Sequence, residues 1–160
     1  MYSFFLNHPN FFAVILGVVV AIIGIAKQRQ TARDKNTLDF ESALEDKSDY
    51  TAAWEIVTRI VDNRLSVPVQ QWASKIYFNT AEAQALRHIL NRWERASNGI
   101  ERKVYNDEAL YEIYGSHIIS IYVYLMPYIN EIRVLRLPKA YEKFERLAIN
   151  WQVRRAKEKR

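Results

Sequence analysis

The chain has 160 residues but no cysteine, only three histidines, four glycines and four prolines. Without thiols there can be no disulfide framework, no thiol catalysis and no zinc site built on thiolates, and the composition suits a reducing compartment. His8, His88 and His117 are far apart, and no HExxH, GxGxxG, GxxxxGK[ST] or GxSxG occurs. Carboxylates are grouped, as at Glu41, Glu45 and Asp46 or Glu142 and Glu145. Each group lies beside bases at helical spacing, as solvated helix faces do. We therefore expect no enzymatic activity, metal or cofactor.

Charge is missing from one long stretch. No Asp, Glu, Lys or Arg precedes Lys27, and residues 11–26 are uninterrupted apolar sequence. With Pro9 and Asn10 the run is 18 residues, about 27 Å of helix, close to the hydrocarbon thickness of a bilayer. A signal peptide would carry a positive segment ahead of its apolar one. Here residues 1–10 hold no Lys or Arg, and Gly24-Ile25-Ala26 is a weak cleavage match. The expectation is a retained, single-pass transmembrane helix.

The charge that is present sits at the two ends. Lys27, Arg29, Arg33 and Lys35 against Asp34 give +3. Arg154, Arg155, Lys157, Lys159 and Arg160 against Glu158 give +4. With +5 for the whole chain, the remainder carries −2. Positive residues only after the apolar run place that side in the cytoplasm, with Asn7, His8 and Pro9 outside. The chain divides into a membrane helix with its basic flank, 1–35, a cytoplasmic helical domain, 36–153, and a basic tail, 154–160.

At about 100° per residue, Asn10, Ala13, Gly17, Ala21, Gly24, Gln28 and Thr31 share one arc of roughly 80°. Branched aliphatic residues cover the rest. Small residues let helices approach closely in lipid, so this arc is expected to face other copies of the helix. Two outcomes are open: a dimer seam or chance alignment, and a ring of helices, for example a tetramer, enclosing a narrow conduit.

Beyond Lys35 the fold class is all-α, an N-terminal transmembrane helix followed by a cytoplasmic bundle of about five helices, because no alternating strand pattern competes. Leu38, Phe40, Ala43 and Leu44 suggest that the first helix continues or is soon followed by another. Ser48 or Asp49 caps a helix burying Ala53, Trp54, Val57, Ile60 and Val61. Residues 64–79, with Pro68, read as a connection containing one short helix. Thr80 caps a helix with Leu86, Ile89, Leu90, Trp93 and Ala96 inward, ending at Gly99. Asn106 opens a short helix that Gly115 ends. Ile118, Tyr122, Leu125, Ile129 and Ile132 form the next stripe, which Pro127 kinks or divides. Pro138 starts the last helix, with Tyr141, Phe144, Leu147, Ala148 and Trp151 buried.

Four Trp and ten Tyr are interleaved with bases, the ingredients of a surface that neutralises phosphates and stacks bases. Core spacing claims Trp54, Trp93, Phe144 and Trp151, and leaves Tyr105, Tyr124, Tyr128 and Tyr141 as exposed candidates. The candidate ligand-binding cations are Arg92, Arg95, Arg102, Lys103, Arg133, Arg136, Lys139 and Lys143. Arg102 and Lys103 sit in a loop, where binding residues concentrate. The basic C-terminus could be solvated, touch anionic lipid or bind nucleic acid.

Residues 89–115, ILNRWERASNGIERKVYNDEALYEIYG, with YINEIR at 128–133 and YEKFERLAINW at 141–151, carry a resemblance. They resemble a bacterial family of domains of unknown function, often membrane-anchored and recurrent in phage-related or mobile gene neighbourhoods. The layout of one membrane helix before a small basic helical domain is also similar to the HalA membrane effectors of the Hailong anti-phage system. That likeness implies an oligomeric ion channel. Its cytoplasmic part would bind a DNA oligomer or nucleotide made by a nucleotidyltransferase encoded alongside, and loss of the oligomer would open the pore. The rival expectation is a membrane-tethered interaction or phage-exclusion module with no pore.

Overall fold

A computed structural model describes residues 9–45 and 48–159, and of residues 9–11 and 45 it describes the backbone alone. Asn7, His8, Asp46, Arg160 and the side chain of Asn10, all singled out above, lie outside the described residues. The described residues are helical and contain no strand. In chain order they form α1 (Pro9–Glu45), α2 (Ser48–Asp62), two short 3-10 helices (Val69–Ala73 and Lys75–Tyr77), α3 (Ala81–Glu101), α4 (Asp107–Leu135) and α5 (Glu142–Glu158).

α1 is one helix of 37 residues. Neither Gly nor Pro occurs between Ala26 and Glu45, so nothing local ends it where the charge begins. Its apolar part is exposed along its whole length, and by length and composition it is able to cross a membrane. From Arg33 onward α1 lies on the bundle, with Thr37, Phe40 and Leu44 buried at helical spacing. α4 also passes the length and composition test, but its inward stripe, Leu110 to Ile132, is the centre of the core.

The other elements run alternately up and down. α3 is antiparallel to α1, since Asn36 meets Val104 whereas Ala43 meets Arg92. α4 turns back from α3 through residues 102–106, and Trp93 meets Tyr114. α5 is antiparallel to α4, with Tyr122 bonded to Glu145 at one level and Tyr111 against Trp151 at another. Hence the 102–106 loop, the start of α4 and the end of α5 share the end of the bundle from which the apolar half of α1 departs.

Trp93 is the hub of the core. Its indole N–H donates to the Tyr50 hydroxyl of α2 at 3.1 Å. Its ring meets Phe40 of α1, Tyr114 of α4 and Trp151 of α5, with centroids 5.9, 5.4 and 6.3 Å apart. All three pairs are edge-to-face, the arrangement favoured by aromatic quadrupoles. One fully buried residue therefore touches each of the other four α-helices.

Several sequence expectations are corrected. Ser48 is the first residue of α2, with Asp49 in its first turn. The connection after α2 holds two 3-10 helices, not one short helix. α3 runs past Gly99 to Glu101, and Gly99 is buried, its bare Cα facing the Tyr105 ring where a Cβ would lie 2.3 Å away. Gly115 sits inside α4 because a Cβ there would press on Tyr111 at 2.9 Å and meet Arg155 at 3.4 Å. α4 continues through Pro127, which lies on its exposed face. α5 starts at Glu142, not Pro138, because the Glu94 carboxylate of α3 accepts from the N–H groups of Lys143 and Phe144. That carboxylate satisfies a helix N-terminus and complements its dipole. Thr80 and Asn106 cap as expected.

Candidate functional site

The most organised polar structure joins α1 to the bundle. α3 ends with Lys103 in the left-handed conformation, φ 59°. Lys103 N–H donates to the Ile100 carbonyl at 2.9 Å and Val104 N–H to that of Gly99 at 2.8 Å. This is the paired closure usually built with glycine at the left-handed position. The turn delivers Asn106, which bonds through its side-chain oxygen, its side-chain amide and its backbone N–H. Its Oδ1 accepts from the N–H groups of Glu108 and Ala109, capping α4. Its Nδ2 donates to Asp34 at 2.7 Å, and its backbone N–H donates to the Thr37 hydroxyl at 2.8 Å. Thr37 in turn donates to the Arg33 carbonyl at 2.9 Å. Asn36 adds a bond to the Val104 carbonyl, and Phe40 lies against Tyr105 at 5.2 Å.

Beside this joint, a cleft of about 410 Å³ between α1 and α3 is lined by Asp39, Arg92, Arg95 and Tyr105, among others. Arg92 donates to the Ala43 carbonyl at 2.9 Å and lies over Phe40, whereas Arg95 is exposed. The eight candidate cations do not form one surface. Arg95, Arg102 and Lys103 lie near the joint and are exposed. Arg133 donates to Glu145 and to the Ala140 carbonyl. Arg136 donates to the Ala73 carbonyl and covers Phe78, and Lys143 pairs with Glu101. Lys139 is exposed at the far end. Of the aromatic candidates, Tyr128 and Tyr141 are buried, Tyr105 is half-buried against Phe40, and Tyr124 alone is exposed, with Arg64 over its ring.

On α1, Ala13, Gly17, Ala21, Gly24, Gln28 and Thr31 are all exposed, and a Cβ at Gly17 or Gly24 would meet nothing within 4 Å. The small-residue arc is thus uncovered in the single chain.

The family model of a domain of unknown function, DUF4760, matches residues 11–151. The chain belongs to the DUF4760 family. The match takes in nearly all of α1 together with the bundle, so apolar helix and domain are one family unit. Comparison with curated proteins finds no match. Comparison with solved structures finds none either.

Sequence reasoning missed two features of this family member. Thr37 and Asp34 had no visible role, because their partner lies about 70 positions away. The second feature is an aromatic cavity of about 310 Å³ lined by Tyr50, Trp54, Trp93, Tyr114 and His117. His117 stacks on Trp54 at 4.4 Å and 28°, and burial pushes its imidazole below the ordinary value. A burial stripe hinted at Trp54 and Trp93, but nothing local brought His117 to them.

Proposed function

We propose that the chain is an oligomeric membrane protein. α1 crosses a bacterial inner membrane once, with the N-terminus outside and the helical domain in the cytoplasm. Sister copies turn the Gly17 and Gly24 face toward a common axis and form a gated, ion-conducting pore. A nucleotide or DNA oligomer on the domain controls it, and it serves anti-phage defence by halting the infected cell.

The observation that carries this reading is the joint. α1 is unbroken from its apolar half to Glu45, and the Asp34, Thr37 and Phe40 contacts tie it to the 102–106 loop. Any movement of the domain therefore tilts or turns the apolar half as one lever. A ligand shifts such a gate only by its difference in affinity for the two arrangements. The uncovered small-residue face supports association, since small residues allow close helix approach. The defence setting, the oligonucleotide and the partner nucleotidyltransferase rest on the similarity of layout alone.

Purified protein in liposomes should pass ions under one ligand condition and hold them under another. Vesicles that stay tight with and without oligonucleotides reject the pore. Gly17→Leu or Gly24→Leu should lower the oligomer mass by holding backbones apart. The rival reading, a membrane-tethered interaction module without a pore, draws on a different observation. Leu65, Ile76 and Val134, at the end of the bundle away from the joint, are 92%, 86% and 81% exposed. Tight vesicles together with full biological activity would favour it.

A further inference from the structure

The basic flank of α1 and the basic last turns of α5 are both tied to one element, the start of α4. Asn106 ties the start of α4 to Asp34 of α1. The end of α5 is tied to the same region: Trp151 Nε1 donates to Asp107 at 2.9 Å, Tyr111 donates to Glu158 at 2.6 Å, and Arg154 pairs with both Glu108 and Glu158. What reads in sequence as a basic tail continues as helix through Glu158 and lies against the first turns of α4, directly after the 102–106 loop.

Four carboxylates at this end are engaged, while Asp39, in the cleft beside the joint, is exposed. Asp34 accepts from Asn106, Asp107 from Trp151, and Glu108 and Glu158 pair with Arg154. The cations are largely not engaged. Lys35, Arg102, Lys103, Lys157 and Lys159 are exposed, and among the described residues their side chains make no hydrogen bond or ion pair. Lys103 moreover holds a left-handed backbone position that glycine adopts more easily.

From this convergence we propose that the joint end of the bundle is a seat for anionic lipid headgroups, pressed against the leaflet from which α1 emerges. The inference rests on the reading of α1 as a membrane helix. Lys27 and Asp34 are seven residues apart, about 10 Å along the helix. The headgroup layer is about 5–8 Å deep and the screening length is about 8 Å at physiological salt. The loop cations and the last turn of α5 are therefore held within electrostatic reach of phosphate-bearing headgroups. Nucleic acid would suit the same charge, but a strand lying there would compete with the membrane surface itself. Each lipid-facing Lys or Arg strengthens such docking about fivefold.

The absence of native cysteine makes a direct test possible. Full-length Ala156→Cys and, at the far end, Ile76→Cys are each labelled with a fluorophore and reconstituted in phosphatidylcholine vesicles, with or without about 30% phosphatidylglycerol. A quencher is carried on the lipid headgroup. Quenching at position 156 should be several-fold stronger in anionic vesicles, should fall with added salt, and should weaken in an Arg102→Gln, Lys103→Gln, Lys159→Gln background. Position 76 should respond to none of these. Equal quenching in neutral and anionic vesicles, or equal response at both positions, overturns the proposal. So does a change at 156 that appears only with added oligonucleotide, which would assign the face to nucleic acid. Protein that alkaline carbonate strips from the vesicles defeats the membrane-helix reading and this inference with it. Protein that resists stripping but shows no headgroup proximity defeats this inference alone.

Discussion

The hydroxyl of Thr37 accepts a 2.8 Å hydrogen bond from the backbone N–H of Asn106, 69 residues further along the chain. Thr37 is 2% exposed, so little water can replace that bond. Thr37→Val keeps the shape and removes the acceptor, leaving the Asn106 N–H unpaired at a cost of about 1–3 kcal/mol. Thr37→Ser should cost much less. Denaturant unfolding in detergent reads the stability. If the joint is the lever, the Val variant should also blunt any ligand effect on vesicle permeability.

Lys103 offers a change of opposite sign. Its positive φ is a conformation that L-residues adopt at a cost of about 1 kcal/mol relative to glycine. Lys103→Gly should therefore stabilise the fold by about that amount, while Lys103→Ala should not. The same glycine variant should bind anionic vesicles less well. A thermal melt and a vesicle sedimentation assay moving in opposite directions would show that this lysine is retained for something other than stability.

Gly99 and Tyr105 should behave as a coupled pair. A Cβ at Gly99 would lie 2.3 Å from two atoms of the Tyr105 ring, so Gly99→Ala displaces the ring from Phe40 and destabilises by about 1–3 kcal/mol. In a Tyr105→Ala background the same change should be close to neutral. A double-mutant cycle measures the difference, and additivity would contradict this packing.

The Arg133, Glu145 and Tyr122 cluster sets a pH dependence. Burial pushes the Glu145 carboxyl up, but the hydrogen bonds from Arg133 and Tyr122 outweigh it and hold the group below its ordinary value. Its contribution is thus complete above the unfolded carboxylate value and is lost as the pH falls through the folded one. Burial and the neighbouring Glu145 push the Tyr122 hydroxyl up to about 12. That contribution is complete below the unfolded tyrosine value and is lost as the pH rises through the folded one. Glu145→Gln should cost about 1–2 kcal/mol at neutral pH, with the gap to the native chain narrowing in acid. Melting temperature against pH for the two proteins checks it.

Trp93→Ala should be the most damaging single change in the core, at about 3–5 kcal/mol. It removes contacts to α1, α2, α4 and α5 together. Trp93→Phe keeps part of the apolar volume and loses the bond to Tyr50, so its cost should be smaller. Chemical denaturation of the two variants orders them.

Much of this architecture was legible without coordinates. The inward stripes of α3, α4 and α5 and the caps at Thr80 and Asn106 depend on spacings of three or four residues, which a linear sequence displays directly. The reading failed where one residue type serves two purposes. Glycine lacks a Cβ whether a helix ends there or another group packs close, so Gly99 and Gly115 read as stops although Tyr105, Tyr111 and Arg155 explain them. Pro138 read as a helix start, yet the cap that decides the start of α5 is Glu94, from another helix. The candidate cations could not be sorted either, since the partners of Arg133, Arg136 and Lys143 become neighbours only when helices cross.

By itself the sequence determined a chain helical throughout, with an apolar first segment, because periodicity, capping and hydrophobic run length are properties of neighbouring residues. Tertiary structure alone decided that α1 is fastened to the loop after α3, that Trp93 joins five α-helices, and that α1 and the end of α5 are both tied to the start of α4. Each of these depends on residues 21 to 72 positions apart, and no local pattern specifies which helix faces pack against one another.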